Sequence, residues 1–158
     1  PMPAATRAHQ KIQLNLAILF RLCEKVSGAG ETITAPCDVL IRRAPLRTRQ
    51  PDVMFISSHR LALNPAPDNP APMTAAPEIV VEIISGSETA HRFNDKIEDY
   101  CQVDVQECWK ILPETQTVEV LRLSRTGVTH MRIYSMGETV QSLTFSDLTV
   151  AVEAIFAA

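Results

Sequence analysis

The chain has 158 residues, of which 46% are apolar, and this length is enough for one domain with a buried core. A formal net charge of −3 neither favours nor excludes a nucleic-acid partner. No apolar run is long enough to span a membrane and the first residues lack a signal-peptide pattern, so we expect no membrane association and a cytoplasmic location.

The first half of the chain predicts one long helix, two strands and a loop. Apolar residues recur at helical spacing over residues 8–26, and two glycines follow. Residues 31–41 are typical of a strand, and Pro36 within them indicates a sheet edge or a bulge. A second strand is predicted over residues 50–57. Five prolines then predict an irregular loop over residues 61–77.

The next segment, residues 78–85, gives the strongest strand signal in the chain. Five of its eight residues are β-branched and apolar, and it lies between Pro77 and Gly86, which predicts a strand buried on both faces. Glu82 lies in the middle of this run. Because a buried carboxylate is costly unless a positive group meets it, Glu82 is the first candidate site residue.

The remainder of the chain predicts a helix followed by further strands. Residues 89–102 carry an apolar face at helical spacing. Strands are predicted over residues 107–112, 117–123, 128–134 and 140–145. The apolar tail to residue 158 is expected to dock on the core. This order of elements predicts an α/β (α+β) fold, a mixed β-sheet flanked by helices, in a single domain over residues 1–158.

The four cysteines indicate reduced thiols rather than disulfides or a zinc site. No two of them form a CxxC pair, and the first lies within the apolar pattern of the long helix. We therefore expect reduced, mostly buried thiols at Cys23, Cys37, Cys101 and Cys108.

Two acidic residues and a lysine form the candidate catalytic site. Asp52 begins one predicted strand, Glu82 lies within the next, and Lys96 is on the helix that follows. If the two strands are neighbours, their carboxylates meet and repel each other unless a divalent cation such as Mg²⁺ or Mn²⁺ lies between them. A lysine beside them could orient or deprotonate water, or stabilise charge on a phosphate. This equipment suits phosphodiester hydrolysis.

Residue types alone leave other interpretations open. Asp52 also fits a turn cap after Pro51, and Lys96 also fits a solvated helix position that flanks the apolar face. Glu82 is harder to explain in this way, because its neighbours predict burial. Glu78 lies on the same face of the strand as Glu82, but its place at the strand start predicts exposure.

Other polar residues allow either a functional or an ordinary role. Arginines crowd the connection before Asp52, where they could contact phosphates or simply form a solvated hairpin tip: Arg42, Arg43, Arg47 and Arg49. We expect His59 and His91 to be ordinary surface or core histidines rather than site residues. Trp109 is expected in the core, and Tyr100 is expected to pack with its hydroxyl bonded.

The order and spacing of several motifs resemble the Uma-two family of restriction endonucleases, in the PD-(D/E)xK nuclease superfamily. The resemblance extends over nearly the whole chain. The segments that carry it are His9, Pro51-Asp52-Val53, Pro77-Glu78-Ile79-Val80-Val81-Glu82-Ile83-Ile84-Ser85, Lys96, Tyr100 and Glu107-Cys108-Trp109.

This resemblance implies a restriction-endonuclease-like sheet between helices and a metal-dependent nuclease. It implies that Asp52 and Glu82 bind Mg²⁺ or Mn²⁺, with the backbone carbonyl of Ile83 also facing the metal. The superfamily's usual lysine position falls on Ile84, and the resemblance implies that Lys96 takes its place. DNA is the implied substrate, and a homodimer is implied because double-strand cutters commonly work in pairs.

Two departures from the family pattern support an alternative. Arg92 stands where many members have an aspartate, and the family's N-terminal hairpin with its own acidic residue is absent from this sequence. The alternative is a catalytically degenerate nuclease-fold module that binds nucleic acid or protein.

Overall fold

A computed structural model describes residues 4–158 of the chain. In chain order the elements are α1 (Arg7–Ser27), β1 (Gly30–Thr34), β2 (Val39–Arg42), β3 (Arg47–Arg49), β4 (Val53–Ser57), α2 (Ser58–Leu61), β5 (Ile79–Ile83), α3 (Ala90–Gln102), β6 (Glu107–Leu112), β7 (Thr117–Ser124), β8 (Gly127–Tyr134), β9 (Thr139–Gln141), β10 (Thr149–Ala151) and α4 (Val152–Phe156).

Six of these strands form one mixed sheet, in the order β1-β4-β5-β6-β7-β8. All neighbouring pairs are antiparallel except β5 and β6, which are parallel and are connected through α3. One apolar core lies between this sheet and α1, and a second lies between the sheet and α3. The predicted fold class, a mixed sheet flanked by helices, is confirmed.

The long first helix begins and ends at local signals. The Thr6 hydroxyl accepts a hydrogen bond from the His9 amide at the start, and Gly28 ends the helix in the left-handed region with a φ of 63°. Between these caps, Ile12, Leu16 and Phe20 recur every fourth residue and are buried. The helix predicted over residues 8–26 is therefore confirmed.

The predicted strand over residues 31–41 is wrong as a single element. Its first part is β1, which lies at the edge of the large sheet, and its second part is β2, which pairs with β3 in a separate hairpin. Pro36 lies between the two strands and has no backbone N–H to donate to a ladder. The chain leaves the sheet there, so the edge position predicted from Pro36 is confirmed.

The central strand β5 is buried along its full length, as predicted. Ile79, Val81 and Ile83 alternate toward the core beneath α1, and Val80 packs toward α3. Glu82 shares the face of Val80, and this places its carboxylate under α3 with only 4% of the residue exposed.

The C-terminal part confirms the predicted hairpin and corrects the last strand. β7 and β8 pair around the turn before Gly127. The strand predicted over residues 140–145 is shorter, because β9 pairs only with the short β10. The tail then forms α4, whose Val152 and Ile155 are buried in the core with α1. Within residues 4–158, no helix combines the length and apolar character that crossing a membrane requires.

Candidate active site

Asp52 lies at the point where β4 begins, directly beside β5. Its amide donates to the carbonyl of Val81 at 3.1 Å, which extends the pairing of the two strands. Its Oδ2 accepts a 2.7 Å hydrogen bond from the amide of Ile83. The Asp52 side chain is therefore fixed against β5, and the interpretation as a turn cap does not describe it.

Glu82 reaches the same region from the α3 side of β5. Its Oε2 accepts a 3.1 Å hydrogen bond from Nζ of Lys96, and its Oε1 accepts one from the hydroxyl of Tyr100. Lys96 and Tyr100 are four residues apart, so they share one face of α3. The amphipathic helix thus places an ammonium and a hydroxyl over the buried carboxylate, and Tyr100 packs with its hydroxyl bonded, as predicted.

Burial dominates the electrostatics of Glu82. Desolvation raises the pKa of Glu82 from its usual 4.5 to about 7, opposed by the charge of Lys96 and assisted by the charge of Asp52. The two carboxylates are therefore close enough to interact. Without a further cation, the Glu82 carboxyl group therefore has a pKa near neutral pH.

Lys96 lies between two carboxylates rather than in solvent. Its Nζ is 3.1 Å from Glu82 Oε2 and 3.3 Å from Glu88 Oε1, and 24% of its side chain is exposed. Burial alone would lower the pKa of Lys96, but the charge and hydrogen bond of Glu82, with a contribution from Glu88, raise it. The lysine is therefore a cation at neutral pH.

His9 is a member of the site that sequence reasoning gave no role. Its Nε2 is 3.4 Å from Asp52 Oδ1, and its Nδ1 is buried without a hydrogen-bond partner among residues 4–158. The hydrogen bond with Asp52 raises the pKa of His9, although burial opposes the shift. The resemblance matched His9 to the family's first helix, but its contact with Asp52 spans 43 residues of chain and depends on the fold.

Glu88 is the second residue that sequence reasoning missed. It lies in the turn between β5 and α3, where the sequence analysis identified no candidate site residue. Its side chain is 14% exposed and pairs with Lys96. A signal was present in the sequence, since the turn contains a single acidic side chain, but nothing local indicates that it faces inward.

Ile83 contributes to the site through its backbone. Its side chain packs in the core beneath α1, and its amide holds Asp52. This contact places the Ile83 peptide beside the Asp52 carboxylate. Ligation of a metal by the Ile83 carbonyl stays a prediction.

The donor atoms fit a hard divalent cation with an incomplete protein shell. Asp52 and Glu82 offer carboxylate oxygens, which keep lone pairs beyond the hydrogen bonds they accept. Among the described residues, no group of three or more His, Cys, Asp or Glu side chains forms a metal cage. Mg²⁺ is typically held by one or two carboxylates with water and substrate completing its shell, and this donor set fits that pattern.

The arginine cluster divides into two parts. Arg47 and Arg49 both donate through Nε to the buried carboxylate of Asp99 on α3, at 2.8 and 2.5 Å to Oδ2. They anchor the β2–β3 hairpin to α3. Arg42 and Arg43 are exposed near the hairpin tip, where either predicted role is still open to them.

The environment of Glu78 differs from its prediction, and that of His91 agrees with its prediction. Glu78 is buried rather than exposed, because Oε2 accepts from the amide of Ser57 at 2.8 Å and Oε1 lies 3.3 Å from Arg60 Nε. His91 is exposed and lies 3.6 Å from Asp95, one turn along α3, which agrees with an ordinary surface role.

The cysteines match their predicted state. All four are free thiols, of which Cys101 and Cys108 are buried and Cys23 and Cys37 are half-buried. The apolar packing of the two buried thiols agrees with a structural role.

Comparisons with known proteins agree with this architecture. A crystal structure of a putative nuclease belonging to DUF820, from Anabaena variabilis, superimposes with a TM-score of 0.75 and 19% identity, covering 99% of this chain and 83% of that chain. At that identity the likeness establishes the fold. No curated protein shows significant similarity to the chain. A family model described as "Uma2: Putative restriction endonuclease" matches residues 1–153, so the chain belongs to the Uma2 family.

Proposed function

We propose that the protein is a nuclease that depends on Mg²⁺ or Mn²⁺ and hydrolyses phosphodiester bonds in DNA. The observation that carries the proposal is the buried Glu82 carboxylate, which is paired with Lys96 and lies near enough to Asp52 for the charge of Asp52 to raise its pKa. A purely structural acid in a central strand needs only a cation such as Lys96 beside it. A second carboxylate that raises its pKa is better explained by a site for a divalent cation.

Asp52 and Glu82 would hold the metal, with the Ile83 carbonyl as a further ligand. When bound, the metal would activate water and neutralise charge on the phosphate. The hydrogen bonds from the Ile83 amide and the Tyr100 hydroxyl fix the two carboxylates before the substrate arrives. His9 fixes Asp52 from the other side.

Lys96 is better suited to charge stabilisation than to proton abstraction. Its raised pKa favours the ammonium form at neutral pH, so it would orient the attacking water and stabilise negative charge on the phosphate. The proton of the attacking water would therefore go to another acceptor, such as an oxygen atom of the substrate phosphate.

The family description supports a nucleic-acid substrate, and double-stranded DNA is the proposed one. Arg42 and Arg43 are exposed near the hairpin tip and could contact its phosphates. We also propose that the protein acts in the cytoplasm. We propose a homodimer, since two paired sites can cut both strands of a duplex together.

Cleavage of DNA by single variants tests the proposal. Purified protein with Mn²⁺ is expected to cut plasmid DNA, and Asp52→Asn, Glu82→Gln and Lys96→Met are each expected to slow cutting by about 10²-fold or more. Glu98→Gln removes an exposed carboxylate from the same helix as Lys96 and serves as the matched control. Cleavage that survives all three site variants would contradict the proposal.

A second candidate is a non-catalytic module that binds nucleic acid or protein. Arg92 favours it, because an exposed cation stands one helical turn before Lys96. This candidate predicts DNA binding that is equal in EDTA and in Mg²⁺ and that survives Asp52→Asn and Glu82→Gln. The nuclease predicts that Mg²⁺ binding, and any Mg²⁺-dependent gain in DNA affinity, is lost in both variants.

A further inference from the structure

Lys96 has two carboxylate partners that come from different elements. Glu82 extends from the central strand β5 and Glu88 from the turn before α3, and their nearest oxygens lie 3.1 and 3.3 Å from Nζ. A lysine that only neutralises a buried glutamate needs one partner. The second carboxylate therefore requires its own explanation.

Glu88 is held inward although it stands in a turn. Its side chain is only 14% exposed. Its Oε1 is buried and has no hydrogen bond with correct angles within residues 4–158, so the contact with Lys96 is an ion pair with an unfilled hydrogen-bonding position. A buried carboxylate oxygen without a hydrogen bond is costly, and a rotamer that turned the Glu88 carboxylate into solvent would avoid this cost.

The other charged groups around Lys96 do not offer an equivalent partner. Arg92, one turn earlier on α3, is a cation. Asp95 is 41% exposed and lies beside His91. Within the described residues, Glu82 and Glu88 are the two carboxylates within ion-pair distance of Lys96 Nζ.

The two partners of Lys96 face different demands when the site is loaded. If the proposed function is correct, Glu82 binds a divalent cation and no longer fully neutralises the charge of Lys96. A half-buried ammonium without a counter-ion is costly and tends to move toward solvent. A second carboxylate outside the metal shell would hold it in place.

We propose that Glu88 is a positioning residue that holds Lys96 in the site when Glu82 binds the metal. Glu88 does not touch the metal or the substrate in this arrangement. It keeps the ammonium aimed at the phosphate, and it lowers the cost of separating Glu82 from Lys96. This inference rests on the proposed function for the metal and on the observed ion pairs for the contact.

The test is a double-mutant cycle on Mn²⁺ affinity, measured by titration calorimetry without DNA. In the natural chain, Glu88→Gln is expected to weaken Mn²⁺ binding by about tenfold, because the cation must then displace Lys96 from its last carboxylate. In a Lys96→Met background, Glu88→Gln is expected to change the affinity by no more than about twofold, the residual effect of a screened charge. Glu98→Gln should have no effect in either background.

An equal loss of Mn²⁺ affinity in both backgrounds would overturn the inference, because Glu88 would then bind the metal itself or act on it only through its charge. No loss in either background would also overturn it. Circular dichroism of each variant shows whether it is folded, and Glu88→Asp is a second variant that keeps the charge.

A metal-free measurement separates this inference from the proposed function. In EDTA, the losses in urea midpoint caused by Glu88→Gln and Lys96→Met are expected to be non-additive, since both break the same ion pair. Non-additive losses with no Mn²⁺ binding by the natural chain would support the Glu88 contact and contradict the metal-dependent function. Additive losses would contradict the contact whatever the metal does.

Discussion

At the scale of single residues, the proposed chemistry depends most on Glu82. Its buried position in β5 would suit an apolar residue such as valine better than an acid. Three other groups of the site change its pKa. Tyr100 and Lys96 stabilise the ionised form through hydrogen bonds, while burial and Asp52 favour the neutral form. This balance leads to two predictions about stability.

The first concerns the Tyr100 hydroxyl, which is buried and donates to Glu82. Tyr100→Phe keeps the ring in the core and leaves one Glu82 oxygen without its donor. We expect a loss of about 1–3 kcal/mol in the free energy of unfolding, measured by urea denaturation. Tyr134→Phe is the matched control, because Tyr134 is also buried but has no hydroxyl hydrogen bond among the described residues. Equal changes in the two variants would contradict the role assigned to the Tyr100 hydroxyl.

The second concerns pH in the absence of metal. The folded pKa of Glu82 is raised from its usual 4.5 to about 7, so folding favours the protonated acid. The stability that it contributes is present below pH 4.5 and is lost as the pH rises through 7. Relative to Glu82→Gln, the metal-free natural chain should lose roughly 3 kcal/mol at most between pH 4.5 and 8. Urea denaturation in EDTA at several pH values measures this difference. If the free energy of unfolding changed with pH equally in the two proteins, the prediction would be contradicted.

At the scale of elements, buried carboxylates attach the segments that flank the large sheet. Asp99 on α3 binds Arg47 and Arg49 of the β2–β3 hairpin, and the adjacent Tyr100 binds Glu82. Glu107 of β6, fully buried, accepts hydrogen bonds from the Trp109 indole, the Ser142 hydroxyl and the Leu143 amide. These contacts fix the hairpin and the C-terminal segment against the sheet.

Removing the Asp99 charge tests the hairpin anchor. Asp99→Asn leaves two arginines without their counter-ion, and because these are partly exposed we expect a loss of about 2–3 kcal/mol in unfolding free energy. Trypsin should then cut faster at Arg42 and Arg43 in the loosened hairpin. Asp95→Asn, which alters an exposed carboxylate of the same helix, is the control. Unchanged proteolysis of Asp99→Asn would show that the hairpin does not depend on this contact.

The local sequence pattern was sufficient to predict α1 and β5. β-branched residues between chain-breaking residues predicted the buried strand β5, and apolar residues at every fourth position predicted the buried face of α1. The prediction of one strand over residues 31–41 was wrong because Pro36 indicates a sheet edge but not whether the chain returns to the same sheet. The two halves of this segment lie in different sheets, because they pair with different strands elsewhere in the chain.

The same distinction applies to the candidate site. The alternation along β5 predicted the face of Glu82, and helical spacing placed Lys96 beside the apolar face of α3. The partners of these residues depend on contacts between distant segments. Glu78 was expected to be exposed because its own strand gave no sign of Arg60, and Glu88 and His9 meet the site only after α1 and the turn before α3 have docked.

At the scale of the whole molecule, the two cores share one sheet, so we propose that residues 1–158 behave as one domain. Thermal unfolding is then expected to be a single transition, with the same midpoint by far-ultraviolet circular dichroism and by the fluorescence of Trp109. Trp109 is fully buried against Phe20 of α1, so its fluorescence reports on one core. Two separated midpoints would contradict the proposal.

A crystal soaked in Mn²⁺ tests the proposed metal site between Asp52 and Glu82. We expect an anomalous difference peak within about 2.0–2.3 Å of oxygen atoms from both carboxylates, which disappears in Glu82→Gln. A peak bound elsewhere, or an unfilled site at saturating Mn²⁺ with Lys96 still on Glu82, would contradict it.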